Sequence, residues 1–124
     1  MIDEETALRG RRVLIVEDSP VVGPFTADIL TDLGCAVIGP APTIAAAREM
    51  IEAGGFDAAV VDVHIRGERS FQLCDALEAR QVPFVLTSGY ASWQVPEQWA
   101  DRPRLHKPYL LEGLRDALRT ALQS

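Results

Sequence analysis

Val13-Leu14-Ile15-Val16-Glu17-Asp18 is a run of apolar residues, unbroken until it meets two acids. A strand with one wet face alternates apolar and polar side chains, so an uninterrupted run fits a strand covered on both faces, as in a parallel sheet. Asp57-Ala58-Ala59-Val60-Val61-Asp62 and Pro83-Phe84-Val85-Leu86-Thr87 have the same character and also end in polar residues. Two shorter segments complete five expected strands: Cys35 to Gly39, closed by the Gly-Pro-Ala-Pro of 39 to 42, and Arg104-Leu105-His106-Lys107.

Segments with helical spacing lie between these runs. Val22, Phe25, Ile29 and Leu33 mark an amphipathic helix that Gly34 stops, with Pro24 in its first turn, where backbone N–H groups have no intrahelical partner. Thr43 is placed to cap a helix carrying Ile44, Ala47, Met50 and Ile51, which ends at Gly54-Gly55. Phe71, Cys74 and Leu77 mark a third helix. Leu110, Leu111, Leu114, Leu118 and Ala121 form the apolar stripe of the last, whose exposed edge is a candidate homodimer interface. Residues 90 to 103 hold two Trp and two Pro, with helix-like spacing only from Glu97 to Ala100, so a short or irregular fourth helix is expected there. Trp93 and Trp99 either cover the core or form a docking surface. Strands alternating with helices predict an α/β domain with a five-stranded parallel sheet covered on both sides.

A chain of 124 residues is one domain's worth of protein, long enough to bury a core without disulfides or structural metals. One domain that uses the whole chain leaves no room for an output domain. The net charge of −6 argues against a nucleic-acid face, which would show clustered Lys and Arg. Met1 to Arg12 lacks the basic-then-apolar order of a secretory signal, and no apolar run is long enough to span a bilayer. A cytoplasmic protein without membrane insertion is expected, with Cys35 and Cys74 as small buried side chains.

In an open α/β sheet ligands bind beyond the carboxyl ends of the strands. Those ends carry Glu17-Asp18, Asp62, Thr87-Ser88 and Lys107-Pro108. An acid after a buried strand is often only the first polar residue of a loop, Ser88 alone is a turn former, and Lys107 alone is a surface lysine. Together they are a chemical set. Three neighbouring carboxylates repel one another unless a cation neutralises them, and an oxygen-only donor set suits Mg²⁺. A lysine and a hydroxyl opposite them supply a point charge and a hydrogen-bond donor for a phosphoryl group.

With these four motifs in order, the chain resembles the receiver domain of bacterial two-component response regulators over nearly its whole length. The matching segments are Val13 to Asp18, Asp57 to Val63, Pro83 to Tyr90 and Lys107-Pro108. The resemblance implies a flavodoxin-like doubly wound fold with strand order 2-1-3-4-5, a receiver domain over 11–122 and an N-terminal extension over 1–10. It implies that Asp62 is the phosphoacceptor, that Glu17, Asp18, Asp62 and the backbone carbonyl of His64 hold Mg²⁺, that Ser88 is the switch hydroxyl and that Lys107 pairs with the phosphoryl oxygens. Gly89 occupies the small-residue position beside Ser88, and Pro108 is implied to follow a cis peptide bond. The implied partners are a sensor histidine kinase or histidine phosphotransfer protein as donor, and a downstream protein as target.

Three positions depart from the family pattern. Arg104 stands where many receivers place a Tyr or Phe that swings inward on activation, Arg66 stands where a Pro commonly follows the acceptor, and the stretch between Ser88 and Lys107 is short. The Ser-Gly-Tyr of 88–90 and the Asp-Val-His-Ile-Arg-Gly of 62–67 resemble stand-alone regulators of alphaproteobacterial signalling. Two other functions compete with that of a phosphorylatable single-domain regulator. A phosphorylation-independent interaction module would not need the intact set Glu17, Asp18, Asp62, Ser88 and Lys107. A small aspartyl phosphatase would need a second acid where His64 stands.

With Arg104 unable to act as an aromatic lever, Tyr90 is the residue expected to relay phosphorylation to a partner surface. Tyr90→Ala is expected to abolish the difference in partner affinity between protein with and without a phosphoryl mimic. An undiminished difference in the variant would remove Tyr90 from the relay.

Overall fold

A computed structural model describes residues 8–89 and 95–123. Five parallel strands, β1 (Arg12–Val16), β2 (Ala36–Ala41), β3 (Ala58–Asp62), β4 (Phe84–Ser88) and β5 (Arg104–His106), form one sheet in the order β2-β1-β3-β4-β5. Four helices connect and cover them: α1 (Val22–Asp32), α2 (Ile44–Ala53), α3 (Phe71–Ala79) and α4 (Leu111–Gln123). A two-residue-armed hairpin, His64–Ile65 against Glu68–Arg69, follows β3. This is the flavodoxin-like doubly wound arrangement that the alternating pattern and the resemblance imply.

The continuous apolar runs have a simple cause. Successive side chains of a strand point to opposite faces, and here both faces are covered. Leu14, Val16, Ala59, Val61, Phe84 and Leu86 face one way, into a core shared with Ile51 of α2 and Leu73 and Leu77 of α3. Val13, Ile15, Ala58, Val60 and Val85 face the other, against Ile29 and Leu30 of α1 and Leu114 and Leu118 of α4. Leu8, ahead of the expected boundary at residue 11, is fully buried in that second core. Both thiols are buried, and burial pushes the Cys74 thiol up to about 12.

Local signals read from the sequence act as expected in several places. Thr43 accepts a hydrogen bond from the Ala46 N–H at 3.0 Å and so caps α2. Pro24 lies in the first turn of α1, and Lys107-Pro108 is cis.

Other expectations need correction. β2 does not close at Gly39 but runs on through Pro40 to Ala41, which is tolerated because β2 is an edge strand and Pro40 owes no ladder bond on its open side. The register jumps there, from Leu14↔Ile38 to Val16↔Ala41, so β2 bulges at Gly39-Pro40. Leu110 lies outside the buried stripe of α4, 68% exposed and one residue ahead of the helix. Between β4 and β5 the described residues hold a 3₁₀ turn, Glu97–Trp99, which is the short fourth helix expected there and needs no correction. Trp99 is core rather than docking surface: it is buried and meets the Phe84 ring edge-on at 5.5 Å, with the Arg102 guanidinium over both rings. Tyr90 and Trp93 lie outside the described residues.

The bulge demands a glycine. Gly39 has φ +93°, and a Cβ there would sit 2.8 Å from both the Ile15 carbonyl oxygen and the Ala41 nitrogen. Gly54 also has positive φ, +72°, but a Cβ there would have no heavy atom within 4 Å. Gly39→Ala is therefore expected to cost more than about 2 kcal/mol in a denaturant titration, against about 1 kcal/mol for Gly54→Ala. A smaller loss at 39 than at 54 would show that β2 can move away from Ile15.

Candidate functional site

Parallel strands end together, so the polar residues that terminate β1, β3 and β4 and follow β5 meet at one edge of the sheet. Glu17 and Asp18 follow β1, and the Glu17 N–H donates to the Ala41 carbonyl at 3.1 Å, extending the β1–β2 ladder past the bulge. Asp62 ends β3. Carboxylate oxygens of Glu17, Asp18 and Asp62 lie within 4.8 Å of one another. Glu17 and Asp62 are 4% and 5% exposed, so burial and mutual repulsion both oppose their charge.

One cation answers them directly. Lys107 Nζ lies 2.6 Å from Glu17 Oε1 and 2.7 Å from Asp62 Oδ2. Burial opposes the ammonium charge, but the hydrogen bonds to Asp62 and Glu17 outweigh it and hold Lys107 above the usual lysine range. For Glu17 burial wins over the Lys107 hydrogen bond, and its carboxyl is pushed above the usual range. Asp18 is affected in the opposite direction. Its partial burial is outweighed by hydrogen bonds, first that from the Arg66 backbone N–H to Oδ2 at 2.8 Å, and its carboxyl falls below the usual range.

The structure also describes the expected site residues His64, Ser88, Gly89 and Arg104. The His64 N–H donates to Asp62 Oδ1 at 3.1 Å. Ser88 is fully buried at the end of β4, and its backbone carbonyl accepts the Lys107 backbone N–H at 2.8 Å. A Cβ on Gly89 would lie 3.9 Å from Lys107 Cδ, so a small residue here lets the lysine stem pass. Arg104 is an exposed residue at the start of β5, with Nη2 3.4 Å from the Ala100 carbonyl and a register position two residues short of Ser88↔His106.

Sequence reasoning missed the residues that hold this set in place. Ser70 stands before α3 and reads as a helix cap, yet it makes no side-chain cap; its buried hydroxyl donates instead to the Asp62 carbonyl at 2.5 Å. The Ser19 N–H donates to Glu17 Oε2 at 3.1 Å, while its hydroxyl accepts the N–H groups of Val21 and Val22 and so ties the acids to the start of α1. A serine shortly before an apolar helix was the available signal for both. Tyr109 offered none, because an aromatic residue after a lysine and a proline has no periodic context.

Three carboxylates facing one ammonium leave the cluster two charges negative. The donors are all oxygen and the two acids at its heart are nearly buried, which fits a hard divalent cation.

Comparison with known proteins gives the same assignment from a different direction. A family model described as the response regulator receiver domain matches residues 13–119. Among solved structures, SdrG from Sphingomonas melonis Fr1 is 39% identical, covers 93% of this chain and 98% of its own, and superimposes with a TM-score of 0.83. The BeF3-activated conformation of SdrG from Pseudomonas melonis Fr1 is 38% identical over 90% of this chain and 95% of its own, with a TM-score of 0.77. The REC domain of the PhyR response regulator from Erythrobacter litoralis is 26% identical over 94% and 93%, with a TM-score of 0.75. No curated protein matches.

The raised Glu17 carboxyl makes protons competitors of a bound cation. Mg²⁺ affinity is expected to fall as pH is lowered, beginning above the ordinary carboxylate range, and Glu17→Gln is expected to bind more weakly but with a flatter pH dependence. Titration calorimetry at several pH values reads both. Equal pH slopes in the two proteins would show that Glu17 does not gate the cation.

Proposed function

The chain belongs to the response regulator receiver domain family, and from that premise we propose that Asp62 accepts a phosphoryl group from a phosphohistidine donor. The observation that carries this reading is Lys107 Nζ held between Glu17 and Asp62 at 2.6 and 2.7 Å, with Asp18 completing a carboxylate set able to hold a divalent cation. Glu17, Asp18, Asp62 and the His64 carbonyl would hold Mg²⁺, which when bound offsets the charge of the acids and of the incoming phosphoryl oxygens. The chain's own contribution is position and charge. Asp62 presents a carboxylate oxygen for in-line attack, while Lys107 and the Ser88 hydroxyl receive the equatorial oxygens. Hydrolysis of the acyl phosphate returns Asp62 to its first state, so the domain assists its own modification and serves as a signal rather than as a separate enzyme.

The family partners with histidine kinases and histidine phosphotransfer proteins. For this chain we assign the donor role to one of these and the output to phosphorylation-dependent binding of a downstream protein, in the cytoplasm. Among the described residues no helix is long and apolar enough to cross a membrane. Val21 and Phe25, at the start of α1, and Leu110, ahead of α4, are large apolar side chains left exposed. They suit contact with a partner protein or a second copy, whereas an excess of acidic residues does not suit nucleic acid.

Incubation with a small phosphodonor and Mg²⁺ is expected to add one phosphoryl group by intact mass, and beryllofluoride with Mg²⁺ is expected to shift amide resonances around Asp62, Ser88 and Lys107. Asp62→Asn is expected to lose both responses. A wild-type protein that takes neither reagent would support a phosphorylation-independent interaction module instead.

A further inference from the structure

Lys107 reaches the acids on a flexible stem, so the placement of its ammonium depends on what fixes the loop that carries it. On one side the Lys107 N–H is bonded to Ser88. On the other side, past Pro108, Tyr109 turns inward between α1 and α4 and is 7% exposed. Its hydroxyl lies 2.6 Å from Thr26 Oγ1, and Thr26 is fully buried in α1. That helix begins at the Ser19 hydroxyl, and the Ser19 N–H is bonded to Glu17. The connections therefore close a ring: Glu17 to Ser19, Ser19 to α1, Thr26 to Tyr109, Tyr109 along the chain to Lys107, and Lys107 Nζ back to Glu17 Oε1.

Burial alone does not require these hydroxyls, because phenylalanine and valine would fill the same space without polar atoms to satisfy. What the hydroxyl pair adds is direction, joining the lysine loop to the helix that also holds the acid loop. The Tyr109 hydroxyl is also in the field of the site. Burial raises its pKa and the Thr26 hydrogen bond lowers it, after which the charges of Glu17, Lys107 and Asp62 act on it.

We propose that Tyr109 and Thr26 are a positioning pair, setting the distance between Lys107 and the acidic cluster at which a phosphoryl group is received. The proposal rests on the reading of Lys107 as the group that meets the phosphoryl oxygens. Neither residue touches the reacting atoms. Both act through the lysine.

The test is phosphoryl uptake from a small phosphodonor at saturating Mg²⁺, per folded molecule and well below the unfolding temperature. Tyr109→Phe and Thr26→Val are each expected to slow the maximal rate about tenfold, with little change in the donor concentration giving half that rate. The double variant is expected to be no slower than either single one, and Thr26→Ser, which keeps a hydroxyl, is expected to stay near the wild-type rate. In a Lys107→Ala background, Tyr109→Phe is expected to have no further effect. Wild-type rates in Tyr109→Phe, additive losses in the double variant, or the full loss persisting without Lys107 would each overturn the proposal. A wild-type protein that takes up no phosphoryl group would instead overturn the reading of the site itself.

Discussion

A single ammonium group stands between two carboxylates that burial would otherwise push toward neutrality. Without Lys107, Glu17 and Asp62 would be two nearly buried like charges, an arrangement a folded protein relieves by protonation or by opening to water. With it, the two acids are held close together by one shared ammonium, and Asp18 stands at the half-buried mouth of the cluster. The arrangement is stable enough to persist and still short of positive charge, so it remains open to a cation and an anion arriving together. Much of the surrounding structure serves to keep that one nitrogen in place.

The sheet does the coarse part of this work. Parallel pairing aligns the carboxyl ends of β1, β3, β4 and β5, and covering both faces of the sheet with helices buries β3, β4 and most of β1. The fine part falls to small hydrogen-bonding groups: Ser19 at the foot of α1, Ser70 under the Asp62 carbonyl, Thr26 against Tyr109, and the Ala41 carbonyl delivered by the bulge in β2. None of these carries charge, and each fixes a backbone or loop that bears a charged group. Small errors in such supports reach the reacting atoms undiminished, because packed interiors transmit displacement instead of absorbing it.

What was legible in the sequence follows from how strongly each feature is patterned. β1, β3 and β4 announce themselves because burial on both faces permits almost nothing but apolar residues, and the polar residue that breaks each run falls where ligands bind. Glu17, Asp18, Asp62 and Lys107 therefore stand out at strand ends, whereas the choice of Ser88 over Thr87 rests on the family resemblance. Weakly patterned features escaped. Gly39-Pro40 reads as a stop, and only the edge position of β2 lets the strand continue through it. Ser70 stands at the N-cap position of α3, where its hydroxyl could serve either the helix or Asp62, and three-dimensional proximity decides between them. Leu110 falls on the helical period of α4 although the helix begins one residue later. Trp99 lacks any periodic neighbour, and its burial depends on Phe84 and Arg102, which are distant in sequence.

Asp62 and Lys107, which meet at 2.7 Å, are 45 residues apart in the chain, and Glu17 is as far again on the other side of Asp62. No local segment contains the site, and its pieces are brought together by strand pairing and side-chain contacts between distant parts of the chain, a class of contact that is slow to form. During synthesis the acids are made well before the lysine that balances them. A partly made chain therefore holds the acidic cluster's residues without the lysine that faces them, and the full set comes together only when β5 docks on β4. Readiness to receive a signal is in this way tied to completion of the fold.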